Sequence, residues 1–245
     1  MKITAPVISF LLLVATGVCF KIDHTASYPQ KKITIFFHHR VGNTELVLGD
    51  TVKNILGDNI VIERFRYYVS NFSITDNKGN TTSLPIQYFL VDEENAASKQ
   101  IELTIPDQAV SQVNFVLGVD SIRNVSGIQT GALDPLKGMF WTWNSGYIMA
   151  KLEGSAEAVA SSGHRFTYHI GGFKKNQNVV KKISLSLADV TNPFQELHLS
   201  ADINHWFKGT SELKITETPV CHSPGALAMR IADNYSTMFS INTAR

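Results

Sequence analysis

Ile60-Val-Ile-Glu-Arg-Phe-Arg-Tyr-Tyr-Val-Ser-Asn-Phe-Ser-Ile-Thr75 is a long run of β-branched and aromatic residues, broken at Ser70-Asn71 and closed by Asp76-Asn77-Lys78-Gly79. Such residues favour the pleated, half-buried surface of a strand, and the closing tetrapeptide has hairpin chemistry. The same texture recurs on both sides of this run. Residues 33–40 alternate, with Ile33, Ile35, Phe37 and His39 on one face. Further strands are expected at 86–91, 100–105, 112–119, 147–152, 165–170, 179–187, 196–201 and 212–216. Turns rich in Gly, Pro, Asn and Asp separate them, which predicts an all-β fold, an antiparallel β-sandwich with long inserted loops. A short C-terminal helix completes it. Ser223-Pro224 supplies an N-cap with proline at the first helical position, and Leu227, Ile231, Tyr235 and Met238 repeat at helical spacing through Ser240. Residues 50–56 read as a short helical turn ended by Gly57.

The chain has 245 residues, of which 44% are hydrophobic and 18% charged. The charged share is below the usual quarter and suits a sandwich better than a helical bundle. Net charge is +1, and the basic runs are only the pairs Lys31-Lys32, Lys174-Lys175 and Lys181-Lys182. Binding of nucleic acid through phosphate neutralisation is therefore not expected. Residues 1–19 read as a signal peptide: Lys2 gives the positive start, 7–14 the apolar stretch, and Ala15-Thr16-Gly17 a small-residue cleavage site. The apolar stretch is too short to span a bilayer. A second reading makes Cys19 the lipidated first residue of a lipoprotein, and that anchor is the one membrane contact expected. Either reading places the protein in the periplasm or at the cell surface. Residues 32–241 are expected to form one domain, in which Cys221 is the lone cysteine.

Chemistry has few carriers. No GxSxG elbow, Walker loop or HxxxH with a general-base glutamate occurs, so no enzyme activity is expected. The loop at 120–138 carries Gly127, Gly131, Pro135 and Gly138 and leads into Trp141 and Trp143. Loops of this length inside a domain are commonly functional or wrapped over a site. Of the eight histidines, His39 shares the apolar face of its strand, His169 shares a face with Arg165 and Thr167, and His198 shares one with Ser200 and Asp202. His205 follows a strand end. Neutral imidazoles that converge in space would make a copper or zinc site.

A series of segments carries a resemblance: Phe37-His-His-Arg-Val-Gly42, Phe65-Arg-Tyr-Tyr-Val-Ser-Asn71, Leu117-Gly-Val-Asp-Ser121 and Gly131-Ala-Leu-Asp-Pro135. It continues through Gly138-Met-Phe-Trp-Thr-Trp-Asn-Ser-Gly-Tyr147, Tyr168-His-Ile-Gly-Gly172, Ser223-Pro-Gly-Ala-Leu227 and Ile231-Ala-Asp-Asn-Tyr235. In this order and over most of the chain, they resemble the MbnP family, periplasmic copper-binding proteins associated with methanobactin systems. A more distant similarity is to the copper-repressible surface proteins of methane-oxidising bacteria. The resemblance implies a β-sandwich that binds copper outside the cytoplasm as a Cu(I) chaperone, store or scavenging component. It also implies oxidation of a tryptophan to kynurenine by a partner of the MauG-like dihaem cytochrome c peroxidase family. Carried onto this sequence, Trp141 and Trp143 match the tryptophan motif, one of them being the modified residue. His169 and His39 match metal ligands, and His205 is a substitute ligand. The alternative function is a non-catalytic carbohydrate- or protein-binding surface domain, with tryptophans stacking on a sugar.

Overall fold

The computed structural model describes residues 28–142 and 145–242. The leader with Cys19, and Trp143, lie outside the described residues. Strands follow in chain order as β1 (Gln30–Val41), β2 (Thr44–Glu45), β3 (Thr51–Lys53), β4 (Asn59–Asp76), β5 (Thr81–Ser83), β6 (Tyr88–Asp92), β7 (Gln100–Pro106) and β8 (Val110–Leu117). They continue as β9 (Phe140–Thr142), β10 (Gly146–Ala156), β11 (Arg165–Gly171), β12 (Lys181–Ser186), β13 (Glu196–Asp202), β14 (Val220–Cys221) and β15 (Phe239–Ile241). The helices are α1 (Ser121–Val125), α2 (Asn204–Phe207) and α3 (Ala226–Tyr235).

The fold is all-β, as the alternating runs predict. A smaller sheet runs in the order β15-β13-β1-β2, with β7 also on β1; a larger one runs β12-β8-β4-β10-β11-β14. The quoted run becomes β4, the spine of the larger sheet. β10 pairs with its first half and β8 with its second, while β3, β6 and β5 pair with successive short stretches. Two ladders are parallel where antiparallel pairing was expected, β1 with β13 and β11 with β14.

Four local expectations differ from the structure, the first being the helix start: α3 begins at Ala226 with Gly225 at its N-cap, so Ser223 does not cap it and Pro224 lies before it. Residues 212–216 alternate like a strand, and Leu213 and Ile215 are buried, but the segment forms only an isolated bridge from Glu212 to Lys208. Residues 50–56 contain β3 rather than a helical turn. The turn chemistry belongs to Asn54, whose Oδ1 accepts from the backbone of Leu56 and Asp58, each at 2.9 Å. Helix α3 stops at Tyr235, because hydrogen bonds from Thr237 to Asn234 (3.2 Å) and from Met238 to Tyr235 (3.1 Å) tighten and end it. Met238 keeps the helical spacing and is buried, yet it belongs to the turn into β15.

The inner face of β1, made of Ile33, Ile35, Phe37, His39 and Val41, packs on the inner faces of β4 and β8. Phe37 meets Tyr67, Phe115 and Phe239 edge-on, with ring centroids 6.1, 6.4 and 6.1 Å away. Edge-to-face pairs add about 0.5–1.5 kcal/mol each beyond area burial. Phe37→Ala should lower unfolding free energy by about 3–5 kcal/mol in urea titration. Leu136→Ala, at a side chain 94% exposed, should change it by less than about 0.5 kcal/mol. Equal shifts at the two positions would contradict this core.

Candidate metal centre

Strand alternation sorts the polar groups of the larger sheet onto its outer face. Ala150 and Leu152 of β10 pair with Tyr67 and Phe65 and look inward. Lys151 and Glu153 pair with Arg66 and Arg64 and look outward, and His169 of β11 is opposite Lys151. On that outer face the Glu153 carboxylate accepts from Arg64 at 2.8 Å and faces His169 Nε2 at 2.5 Å. Lys151, itself buried, donates to the carbonyl of Gly138 at 2.8 Å.

The loop between β8 and β9 is fastened over this face from below. Tyr147 donates its hydroxyl to Leu133 O at 2.7 Å, and Tyr68 donates to Ala132 O at 3.1 Å. Asn124, at the end of α1, accepts from the backbone of Tyr147 at 2.8 Å and donates to Val119 O and Asp120 O. Leu133 and Met139 are buried, so the loop itself adds to the core. These ties deliver β9 to the start of β10, and with it Trp141.

The Trp141 indole lies against the backbone of Gly171. A Cβ on Gly171 would stand 2.6 Å from Trp141 Cζ3 and 2.7 Å from the carbonyl of Tyr147, so only glycine admits this approach. Gly171 is two residues along β11 from His169 and shares its face. His222 follows β14, which runs parallel beside β11 with Tyr168 opposite Cys221. The next pair in that register is His169 and His222, and their rings stack at 4.3 Å with 26° between planes. Trp141, His169 and His222 thus share one patch, with Glu153 and Lys151 behind them. A cavity of about 310 Å³ lined by Ser145, Gly172, Phe173, Lys174, Gln177 and Pro224 opens beside it.

Burial pulls the His169 pKa below its ordinary value, against the raising effect of the Glu153 hydrogen bond. Burial pushes the Glu153 carboxyl up, but His169, Lys151 and Arg64 outweigh it and hold the carboxyl below its usual range. A neutral imidazole beside a carboxylate donates Nε2–H to it, which leaves the lone pair on Nδ1. His169 is therefore oriented as a ligand is, with a carboxylate on the far nitrogen.

The other expected ligands are elsewhere. His39 faces the sandwich interior, on the opposite side of the larger sheet from His169. Its Nδ1 is hydrogen-bonded to Glu93 and its Nε2 stands 2.9 Å from the Tyr67 hydroxyl. Burial keeps the Tyr67 phenol protonated, so it donates to Nε2 while Nδ1–H faces Glu93. Both ring nitrogens are used. His205, on α2, has Nδ1 at 2.6 Å from Thr237 Oγ1. Trp206 is fully buried and cannot stack on a sugar. Among the described residues, no three His, Cys, Asp or Glu side chains gather as a ready-made metal cluster. The sequence patterns single out neither Glu153 nor His222. Glu153 was legible as one of two charged residues, with Lys151, at alternate positions of β10; His222 depended on the parallel pairing of a two-residue strand.

Burial lowers the His39 pKa, with Glu93 opposing. An unfolded chain then binds this proton at higher pH than the folded one. The associated stability is present above about pH 6.5 and drains as pH falls below it. His39→Gln should flatten the slope of unfolding free energy against pH between about 6.5 and 5. Parallel slopes for the two proteins would contradict a neutral, buried His39.

A family model described as MbnP matches residues 30–223. No curated protein matches the chain. Among solved structures, MbnP from Methylosinus trichosporium is similar at a TM-score of 0.54 and 16% identity, over 81% of this chain and 83% of that one. At that identity the likeness speaks for the fold alone. The family match covers most of the strands described above and both the tryptophan and the histidine segments, and the chain belongs to the MbnP family.

Proposed function

We propose that the chain is an exported copper-binding protein that holds Cu(I) for storage or transfer, without turnover of its own. The centre would be built on His169, His222 and a modified Trp141. The observation that carries this reading is the contact of the Trp141 indole with Gly171, two residues from an imidazole stacked on a second imidazole. Export rests on the leader at residues 1–19, with Cys19 as an alternative anchoring point. Among the described residues no helix is long and apolar enough to cross a membrane.

The donor set suits the ion. Imidazole is a favoured copper ligand, and His169 presents Nδ1 with its tautomer set by Glu153. Stacked rings hold their in-plane lone pairs side by side, so sharing one ion requires His222 to rotate. His222 is exposed, at the end of a short edge strand, and has room to do so. An intact indole offers only a donor N–H. Adding two oxygen atoms across its C2–C3 bond, then releasing C2 as formate by hydrolysis, leaves kynurenine, whose aromatic amine has a lone pair. Two equivalents of hydrogen peroxide, activated by a MauG-like dihaem partner, would supply both oxygen atoms and the oxidising equivalents and be reduced to water. Two imidazoles and one aromatic amine form a low-coordinate set that copper in its +1 state accepts.

Protein purified from its native host should carry about one equivalent of copper and a mass about four daltons above that of the unmodified chain. Trp141→Phe should abolish the mass shift. A shift that persists in that variant would move the modification to Trp143. His169→Ala should weaken copper binding more than Glu153→Gln, for which a loss of about 10–100-fold is expected. Titration without saturable binding above that of a control protein would end the copper reading.

A further inference from the structure

The tyrosines Tyr67, Tyr68, Tyr147, Tyr168 and Tyr235 are all buried, but their hydroxyls keep different company. Tyr68, Tyr147 and Tyr168 donate to the backbone carbonyls of Ala132, Leu133 and Thr218. The Tyr235 hydroxyl and the Trp206 indole N–H have no hydrogen-bond partner among the described residues. Tyr67 alone of these phenols faces a base, donating to His39 Nε2 at 2.9 Å. The other nitrogen of His39 is hydrogen-bonded to Glu93, whose second oxygen accepts from Lys99 at 2.9 Å. Glu93 and Lys99 border a cavity of about 170 Å³ that also reaches Glu45 and Gln100. Hydrogen bonds thus lead from the aromatic core out to the partly exposed Lys99. The rings beside Tyr67 are in contact across that core. Phe65 lies 5.3 Å from Tyr67 and 6.0 Å from Trp206, which lies 4.8 Å from Tyr235 and 6.5 Å from Tyr168.

We propose that Tyr67, His39 and Glu93 form a redox-active site, at which an external one-electron oxidant of the high-valent metal–oxo class takes an electron from Tyr67 while His39 takes the proton. The phenol O–H bond breaks and an N–H bond forms at His39 Nε2. The electron reduces the oxidant, and a neutral phenoxyl radical is left facing an imidazolium held by Glu93. A phenol that loses an electron becomes a strong acid, so its oxidation is much easier where a base stands ready for the proton. Burial keeps Tyr67 protonated and His39 neutral at rest, so donor and acceptor are both in the required state. A backbone carbonyl is too weak a base for this step, and Tyr235 and Trp206 face no base at all. An electron vacancy that enters Trp206, Tyr168 or Tyr235 therefore comes to rest on Tyr67. One electron from a small external reductant resets the phenol, and the proton returns from His39. The site serves as a sink for oxidising equivalents that reach the core. It uses no residue of the proposed copper centre and stands without it.

Full-length protein exposed to a flash-generated ruthenium(III) tris-bipyridine oxidant should give a tyrosyl radical EPR signal that forms more slowly in D₂O. Tyr67→Phe should remove most of that signal. Tyr88→Phe, at a half-buried phenol that donates to Asp120, should leave most of it. His39→Gln keeps the phenol but removes its base and should slow radical formation by about 10²-fold. Glu93→Gln keeps the imidazole and should slow it by a smaller factor; it is the test if His39→Gln fails to fold, which circular dichroism checks. A radical yield unchanged by Tyr67→Phe, or a rate unchanged in the folded His39→Gln or Glu93→Gln protein, would overturn the assignment.

Discussion

Alternation along β4 governs the rest of the molecule. Phe65 and Tyr67 turn into the sandwich, while Arg64 and Arg66 turn out, because successive residues of a strand face opposite sides. β10 repeats the division in register, with Ala150 and Leu152 inside and Lys151 and Glu153 outside. The inner rows close on Phe37 and Phe115 to make a dry aromatic core. The outer rows form a charged lattice that orients His169, while Tyr68, Tyr147 and Lys151 fasten the long loop to that face. A one-residue slip of β10 against β4 would put Glu153 into the core and dissolve both.

The same alternation gives two histidine–glutamate pairs different characters. His39 and His169 each face a carboxylate, and burial disfavours the protonated form of both. The second nitrogen separates them. In His39 it meets Tyr67, so the ring is a saturated member of the core. In His169 no hydrogen bond among the described residues occupies Nδ1, and the ring stands at a half-buried surface beside an indole. An imidazole with one nitrogen anchored and one available is the arrangement in which it serves as a ligand.

The sequence made much of this fold legible, for reasons particular to each element. β1 and β11 carry two-residue patterns along most of their length, and the faces assigned to His39 and His169 follow from them. The resemblance motifs located Trp141 and His169 near strand ends. What stayed hidden depends on partners distant in sequence. Residues 212–216 alternate but have no ladder to join. Met238 continues a helical spacing past the point where the backbone has turned. The approach of Trp141 to Gly171, and of His222 to His169, comes from how β9 and β14 dock at the edges of two longer strands. Period reads the face of a strand; it does not read its neighbour.

The parallel ladder between β1 and β13 has a further consequence. Thr34 is matched to Glu196, so the first strand of the small sheet meets its neighbour only after most of the polypeptide has been made. Contacts of such span close late, because the entropy of the intervening chain opposes them. Until β13 arrives, β1 has only β7 and β2 beside it. Its row of isoleucine and phenylalanine stays open to other chains through that interval. That open edge is where assembly of the molecule is most exposed to misassociation.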